Sequence, residues 1–209
     1  MKRHFSLLPT LSLALIIILL PFFTLLFSQT FYHYEFNNLR VYDGENNQKI
    51  DESLSSLLSF FLYQNDVILS YNENEISHMK DVRNIFGVLE FLLFIAIVML
   101  ILCLLKFSKK SLKQILKYSS IISLLFLLIL VLLSINFEQT FAIFHPIFFP
   151  QGNYTFNPEE SFMKFMFPDE FFSDFLMVSL SISFIVSISL IISSVFYSKK
   201  RRDKLINSN

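Results

Sequence analysis

The 209-residue sequence has very few of the residues from which nucleotide sites are commonly built. It contains only three glycines, Gly44, Gly87 and Gly152, which cannot form a glycine-rich phosphate loop or a dinucleotide fingerprint. A G-x-S-x-G nucleophile elbow is also missing. We therefore expect neither a nucleotide partner nor a cofactor.

Cysteine is almost absent. The single Cys103 lies in the middle of an apolar run, where we expect it to act as a small packing residue. A disulfide within the chain is therefore excluded. No close-spaced H-E-x-x-H pair is present, so the sequence gives no support for a metal site.

Tryptophan is also absent, but 27 phenylalanines and an apolar content of 54% are not typical of a soluble domain. About 20 helical residues, rising about 1.5 Å each, match a hydrocarbon core of about 30 Å. Four apolar runs have the required length: Leu7 to Ser28, Ile85 to Phe107, Tyr118 to Ile135 and Phe175 to Tyr197. The sequence therefore predicts an all-α integral membrane protein with four transmembrane helices, in a single polytopic domain over residues 1–209.

The first apolar run follows Lys2 and Arg3, as the apolar region of a secretory signal peptide does. Signal peptides have apolar regions of about 7–15 residues before a small-residue cleavage site. This run is longer and has no A-x-A-like end. We expect an uncleaved first span, with a signal peptide as the alternative.

The charged residues are distributed unevenly between the two sides of these spans. With the N-terminus in the cytoplasm, 12 of the 17 basic residues are cytoplasmic: Lys2, Arg3, Lys106, Lys109, Lys110, Lys113, Lys117, Lys199, Lys200, Arg201, Arg202 and Lys204. The two outer loops hold all acidic residues except Glu90 and Asp203. By the positive-inside rule, we expect both termini to be cytoplasmic in a multi-pass membrane protein. The basic clusters are explained by topology and contact with membrane lipids, and we expect no nucleic-acid partner.

The first outer loop, from Gln29 to Asn84, contains short elements. Arg40 to Tyr42 is predicted to be extended, and Asp51 to cap an amphipathic helix that runs to Tyr63. Its apolar face is expected against the membrane interface or the helix bundle, and consists of Leu54, Leu57, Leu58 and Phe61.

A polar stretch from Glu75 to Arg83 leads directly into the second span. Asn72 or Asn74 is expected to cap a helix that continues through this stretch. His78 and Asp81 are then three residues apart on one helical face. A carboxylate in that position can orient the imidazole and stabilise its protonated form.

The second outer loop, from Asn136 to Asp174, is unusually rich in aromatic residues. Such a composition is typical of a segment in the headgroup region or dipping between spans, where it can hold lipid chains. His145, followed by Pro146, lies in its middle. One histidine there is explained as an interfacial polar residue, but two of them at one membrane face, His78 and His145 beside neighbouring spans, favour a shared role.

Two stretches resemble the signature segments of the bacterial lipoprotein intramolecular transacylases, four-span plasma-membrane enzymes of Gram-positive bacteria. These stretches are EISHMKDVRNIF (75–86) and FHPIFFPQGNYTFNPEESFMKFMFPDEFF (144–172). The resemblance implies that His78 and His145 are the catalytic residues. Supporting or substrate-binding residues are then expected at Asp81, Arg83, Tyr154 and Glu75.

The resemblance also implies the reaction. The substrate is a lipoprotein whose N-terminal cysteine carries a diacylglyceryl group and a free α-amine. The sn-2 acyl chain moves from its ester to that amine, which gives the N-acyl S-monoacylglyceryl (lyso) form. One histidine is expected to take the amine proton, and the other to protonate the glyceryl oxygen; a covalent acyl-histidine route stays open.

The chain departs from the family pattern at four positions, with Tyr154 in place of Trp, Ser161 in place of Asp, Arg83 in place of Lys and Asp169 in place of Glu. Three of these changes preserve charge or an amphipathic ring. Ser161 loses a carboxylate, for which Glu159 or Glu160 is the expected replacement. Two other functions remain open, a noncatalytic accessory or lipid-binding protein and a membrane metalloenzyme.

Overall fold

The computed structural model describes residues 7–44, 46–66, 68–105, 109–157 and 160–206, and within them every regular element is a helix. The elements are α1 (Leu7–Leu26), α2 (Gln29–Asn38), α3 (Asn47–Phe61), α4 (Glu73–Leu104), α5 (Lys109–Ser134), α6 (Phe137–Phe148), α7 (Phe162–Met166) and α8 (Asp169–Ile206), with a 3-10 turn at Val41–Asp43. Lys2, Arg3, Lys106, Phe107 and Glu159, which carry part of the sequence-based predictions, lie outside the described residues.

Four of the described helices are long and apolar enough to cross a membrane: α1, α4, α5 and α8. The prediction of four transmembrane helices is confirmed. Three of them are longer than their apolar runs, because polar turns continue the helix beyond the apolar part. Most important for the site, α4 begins at Glu73, twelve residues before the predicted span.

The chain divides into two compact units. The first unit comprises the described residues within 1–23, 90–132 and 178–209, and the second comprises residues 24–89 and 133–177. In the first unit, the buried polar side chains are small hydroxyls such as Ser123 on α5 and Ser187 on α8. Ser123 Oγ donates to the carbonyl of Ala14, 3.2 Å away on α1. Small residues of this kind allow helices to approach closely in membranes.

The second unit has an aromatic core formed by α2, α3, α7 and the start of α8. Phe36, Phe60, Ile50 and Met166 are completely buried there. The apolar face predicted for α3 is also buried in this core, so its packing against other helices is confirmed. This core supports the segments that carry both histidines, which belong to the same unit.

Two local predictions are wrong. Residues 41–43 form a 3-10 turn preceded by Arg40 in the left-handed conformation, with φ at 58°, instead of an extended segment. The α3 helix begins one turn before Asp51, because Asn46 Oδ1 caps it by accepting from the backbone N–H of Gln48. Asp51 is instead an acceptor for the Tyr42 hydroxyl at 2.7 Å.

Candidate active site

The start of α4 is fixed by a reciprocal pair of hydrogen bonds between Asn72 and Glu75. The backbone N–H of Glu75 donates to Asn72 Oδ1 at 3.0 Å, and the backbone N–H of Asn72 donates to Glu75 Oε2 at 2.8 Å. This is the geometry of a capping box, in which two unpaired backbone donors at a helix start find acceptors. The predicted cap at Asn72 is confirmed, and it sets the first turn of the helix that carries His78.

Glu75 also joins α4 to the segment around α7. Its carboxylate is 1% exposed, and its Oε1 accepts from Ser161 Oγ and from the backbone N–H of Met163 at 2.9 Å. Ser161 Oγ also caps α7 by accepting from the backbone N–H of Lys164 at 3.0 Å. Ser161 therefore serves as a donor to a buried carboxylate, and Glu160 is exposed to solvent.

The surroundings of Glu75 keep a nearby phenol neutral. Tyr71 is buried, and its hydroxyl has no hydrogen-bond partner among the described residues. Burial, together with the negative charge of Glu75 and the neighbouring Tyr32, raises the pKa of Tyr71 well above its usual value. Ionising a phenol in this place is unfavourable because the region already holds a buried carboxylate.

His78 lies one turn after Glu75 and is 6% exposed. Its ring meets the ring of Phe149 edge-on, with centroids 4.5 Å apart, and that of Phe156 at 5.7 Å. These two phenylalanines come from the aromatic segment that follows α6. The imidazole of His78 is therefore held in place by contacts with aromatic rings.

His145 lies in the last turn of α6 and is half-buried. Its Nδ1 is 2.7 Å from the carbonyl oxygen of Phe141, one turn earlier in the same helix. A carbonyl only accepts hydrogen bonds, so Nδ1 carries a proton and Nε2 of the neutral ring is the acceptor. Pro146 follows His145 directly, and α6 ends at Phe148, so His145 lies close to the C-terminal end of the helix.

The two histidines, 67 positions apart in the sequence, lie side by side. Their ring centroids are 6.1 Å apart and their planes differ by 25°. Two imidazoles at this separation can both reach a single small group placed between or beside them. One ring nitrogen can accept a proton while another donates one, which is the requirement for general acid–base catalysis.

Asp81 contacts two side-chain amides. Its Oδ2 accepts from Gln151 Nε2 and, at 2.6 Å, from Asn153 Nδ2. Both amides come from the turn around Gly152, whose φ of 78° favours glycine and places its two neighbours on the same carboxylate. Gln151 and Asn153 were not predicted from the sequence, although the polar triplet of residues 151–153 interrupts an otherwise aromatic segment.

Arg83 has its partners in α3 and the segment after it. Its Nη1 donates to Asp66 Oδ1 at 3.0 Å, and its guanidinium lies 3.9 Å from the ring centroid of Phe60 and 5.0 Å from that of Tyr63. A cation over two aromatic rings and beside a carboxylate is well stabilised. These contacts join α3 to α4, and a substrate-binding role for Arg83 stays a prediction.

Tyr154 is the predicted supporting residue that approaches a histidine. Its half-exposed ring lies with its centroid 5.1 Å from that of His145. Phe141 also contacts His145, edge-on at 4.4 Å. Of the predicted site residues, the structure therefore brings His78, His145 and Tyr154 together, whereas Asp81 contacts the amides of Gln151 and Asn153.

The chain is similar to one family of known proteins. The family model described as "Lipoprotein intramolecular transacylase Lit" matches residues 7–172, a range that includes both histidines. No curated protein matches the sequence.

Three solved structures of one bacterial protein share the fold. The in meso structure of the membrane-integral lipoprotein intramolecular transacylase Lit from Bacillus cereus is 24% identical, with a TM-score of 0.84 over 96% of this chain and 97% of that one. A form of it with a histidine replaced by arginine is 23% identical, with a TM-score of 0.83 over 97% and 94% of the two chains. A form with histidine replaced by alanine is 22% identical, with a TM-score of 0.82 over 96% and 94%.

These similarities establish a membrane-integral fold of four long helices for the present protein. The family model covers well over half of the chain, which is sufficient to assign its family. The chain belongs to the lipoprotein intramolecular transacylase family, membrane enzymes that transfer an acyl group within a lipoprotein.

Proposed function

We propose that His78 and His145 together catalyse the transfer of the sn-2 acyl chain of a diacylglyceryl lipoprotein to the α-amine of its N-terminal cysteine. The observation that carries this proposal is the pairing of the two imidazoles, with ring centroids 6.1 Å apart, in an aromatic site. Asp81 and Glu75 are supporting residues of this pair. The whole chain works as one polytopic membrane domain.

The reaction balances without any co-reactant. The amine nitrogen attacks the ester carbonyl carbon, and a C–N bond forms as the nitrogen loses a proton. The bond from that carbon to the sn-2 oxygen then breaks, and the released glyceryl oxygen takes up a proton. An ester becomes an amide, which is the more stable acyl compound, so the transfer proceeds without an energy source.

The two histidines supply the proton transfers. A free α-amine has a pKa of about 7.7–8.0, so a base of imidazole strength suits its deprotonation near neutral pH. His145 donates from Nδ1 to the Phe141 carbonyl and presents Nε2 as the acceptor. One histidine accepts the amine proton on its unprotonated ring nitrogen. The other donates a proton to the departing glyceryl oxygen.

The apolar surface of α6 supports a lipid substrate. Its residues Ile143, Phe144, Ile147 and Phe148 are exposed, although all four are apolar. In a membrane this surface meets acyl chains, so it can hold the chains of the lipoprotein or of the surrounding lipid. An amine and an ester on a short glyceryl linker then reach the histidines from the apolar side.

The reaction is tested by mass spectrometry of a lipoprotein from a host that makes diacylglyceryl lipoproteins and lacks its own N-acyltransferase. With this protein expressed, the N-terminal peptide is expected to have one acyl chain on the cysteine nitrogen and one on the glyceryl, at unchanged total mass. An unchanged fragment spectrum, with the protein present in the membrane, would contradict the proposal and favour a noncatalytic accessory role.

We further infer that the segments carrying the histidines face the extracytoplasmic side of the plasma membrane. Alternation of four spans puts the α1–α4 and α5–α8 connections on the same side, opposite to both termini. The support is the charge distribution, in which most basic residues fall on the side of the termini.

Single cysteines introduced into a Cys103→Ser background test this orientation. A membrane-impermeant maleimide is expected to label exposed Ser55→Cys in intact cells, but to label Lys113→Cys only after permeabilisation. The reverse pattern would place the histidines in the cytoplasm.

A further inference from the structure

Two buried polar atoms at the histidine pair have no hydrogen-bond partner among the residues that the structure describes. They are Nδ1 of His78 and Oδ1 of Asn153. Leaving a buried donor or acceptor unpaired is energetically unfavourable, so these two atoms need an explanation. Asn153 lies beside the turn of α4 that carries His78, since its amide contacts both Ser77 and Asp81.

The contacts of its nitrogen determine how the Asn153 amide is oriented. Its Nδ2 donates to Asp81 Oδ2 at 2.6 Å and to Ser77 Oγ at 3.2 Å, which uses both of its N–H groups. Asp81 is an acceptor only, so the nitrogen must face it. The amide oxygen is left as an acceptor on the side of the histidine.

We propose that Asn153 is a positioning residue of the transacylase reaction, which accepts a hydrogen bond from His78 Nδ1–H and connects that ring to the Asp81 carboxylate. This inference rests on the proposed role of His78. It assigns the orienting role to Asn153, with Asp81 acting through the amide and not on the ring directly.

The consequence for chemistry is a fixed reactive nitrogen. With Nδ1–H held by the Asn153 oxygen, His78 presents Nε2 as its reactive nitrogen in both the neutral and the protonated ring. His145 has the same arrangement, since its Nδ1 is held by a carbonyl oxygen. Both imidazoles then exchange protons with substrate only at Nε2.

The first test is Asn153→Leu, which keeps the approximate size and removes the hydrogen bonds. We expect kcat to fall about 10- to 100-fold, with KM changed much less, because groups that orient a catalytic residue have effects of this order. Gln151→Leu is the matched control, since it removes the other amide from the same carboxylate oxygen and leaves Asn153 in place. It is expected to lose less activity than Asn153→Leu, because it leaves the proposed acceptor of His78 in place.

A spectroscopic signature separates positioning from general stability. In protein with 15N-labelled histidine, the ring nitrogen shifts of His78 are expected to show the Nδ1–H tautomer in the unchanged protein and a mixture of tautomers in Asn153→Leu. An unchanged His78 tautomer in Asn153→Leu, or a kcat within about twofold of normal, would overturn the inference.

A second variant keeps the inference testable if Asn153→Leu does not fold. Asn153→Asp puts two carboxylates together and is expected to lose activity, whereas the exchanged pair Asp81→Asn/Asn153→Asp restores one donor, one acceptor and an oxygen facing His78. We expect the pair to be at least about 10-fold more active than Asn153→Asp alone, because contacting residues are not additive. Equal or lower activity of the pair would refute the inference. His78→Ala distinguishes failure of this inference from failure of the proposed function. If that variant stays active, the proposed histidine dyad is wrong as well.

Discussion

Replacing either His78 or His145 by alanine is expected to lower the rate of acyl transfer by about 10²- to 10⁴-fold, the range in which positioned general acids and bases contribute. Each imidazole has a role that the other cannot take over, since one removes the amine proton and the other protonates the glyceryl oxygen. The rate is measured as the appearance of N-acylated N-terminal peptide by mass spectrometry, at matched amounts of enzyme in the membrane.

The two replacements differ in their expected effect on stability. His78 is almost completely buried between Phe149 and Phe156, so alanine leaves a cavity there. His145 is half-buried, and its replacement removes less packing. His78→Gln, which fills more of the space, therefore accompanies His78→Ala and is expected to be as inactive but better folded.

His33→Ala is the matched control for the histidine variants. His33 also lies in the second unit, where its Nδ1 is 2.6 Å from the Tyr42 hydroxyl. Its loss is expected to leave acyl transfer near normal. Near-normal transfer by both His78→Ala and His145→Ala would refute the dyad, whereas an equal loss in all three variants would indicate a general effect of histidine removal on this unit.

The spans and the histidine pair could be predicted from the sequence because the patterns that indicate them are local. Four long apolar runs predict four helices wherever the protein folds, and the polar residues before Ile85 indicate a helix that begins before the apolar part. The cap at Asn72 follows from the same local chemistry. His78 and His145 were paired through the resemblance of two short stretches to one family.

The partners of Asp81 and Glu75 were not accessible from the sequence, because they depend on contacts over long separations. Asp81 is bound by amides about 70 positions away, and Glu75 by Ser161, 86 positions away. The helix α2 was missed as well, since its polar sequence QTFYHYEFNN has no clear helical apolar face. It is held by aromatic contacts such as that of Tyr32 with Phe171, at 5.5 Å between centroids.

Ser161 illustrates how the structure changes the interpretation of a substitution. Compared with the family pattern, the serine loses a carboxylate, and a nearby glutamate was expected to replace it. The hydroxyl instead donates to the buried Glu75 and accepts from the N-terminus of α7. A single hydroxyl can do both because it is a donor and an acceptor.

Glu75→Ala is expected to destabilise the second unit strongly. It leaves the hydroxyl of Ser161 and the backbone N–H groups of Asn72 and Met163 without their acceptor. The Ser161 hydroxyl and the Met163 N–H are buried, and at about 1–3 kcal/mol for each such group left unpaired we expect the free energy of unfolding to fall by about 2 kcal/mol or more. Unfolding of the purified protein in detergent micelles, by heat or denaturant, measures this change.

Glu73→Ala is the matched control for this change. Glu73 is an exposed carboxylate in the same first turn of α4, so its removal loses only the favourable interaction with the helix N-terminus, about 0.3–1 kcal/mol. Glu75→Gln is expected to fall between the two, because its amide keeps one acceptor oxygen but places an N–H group against existing donors. If Glu75→Ala and Glu73→Ala unfold together, the hydrogen bonds of Glu75 do not hold α4 to the α7 segment. If Glu75→Ala is destabilised as expected, its acyl transfer should recover on cooling, because Glu75 acts one turn before His78 by fixing the helix and not by touching the substrate.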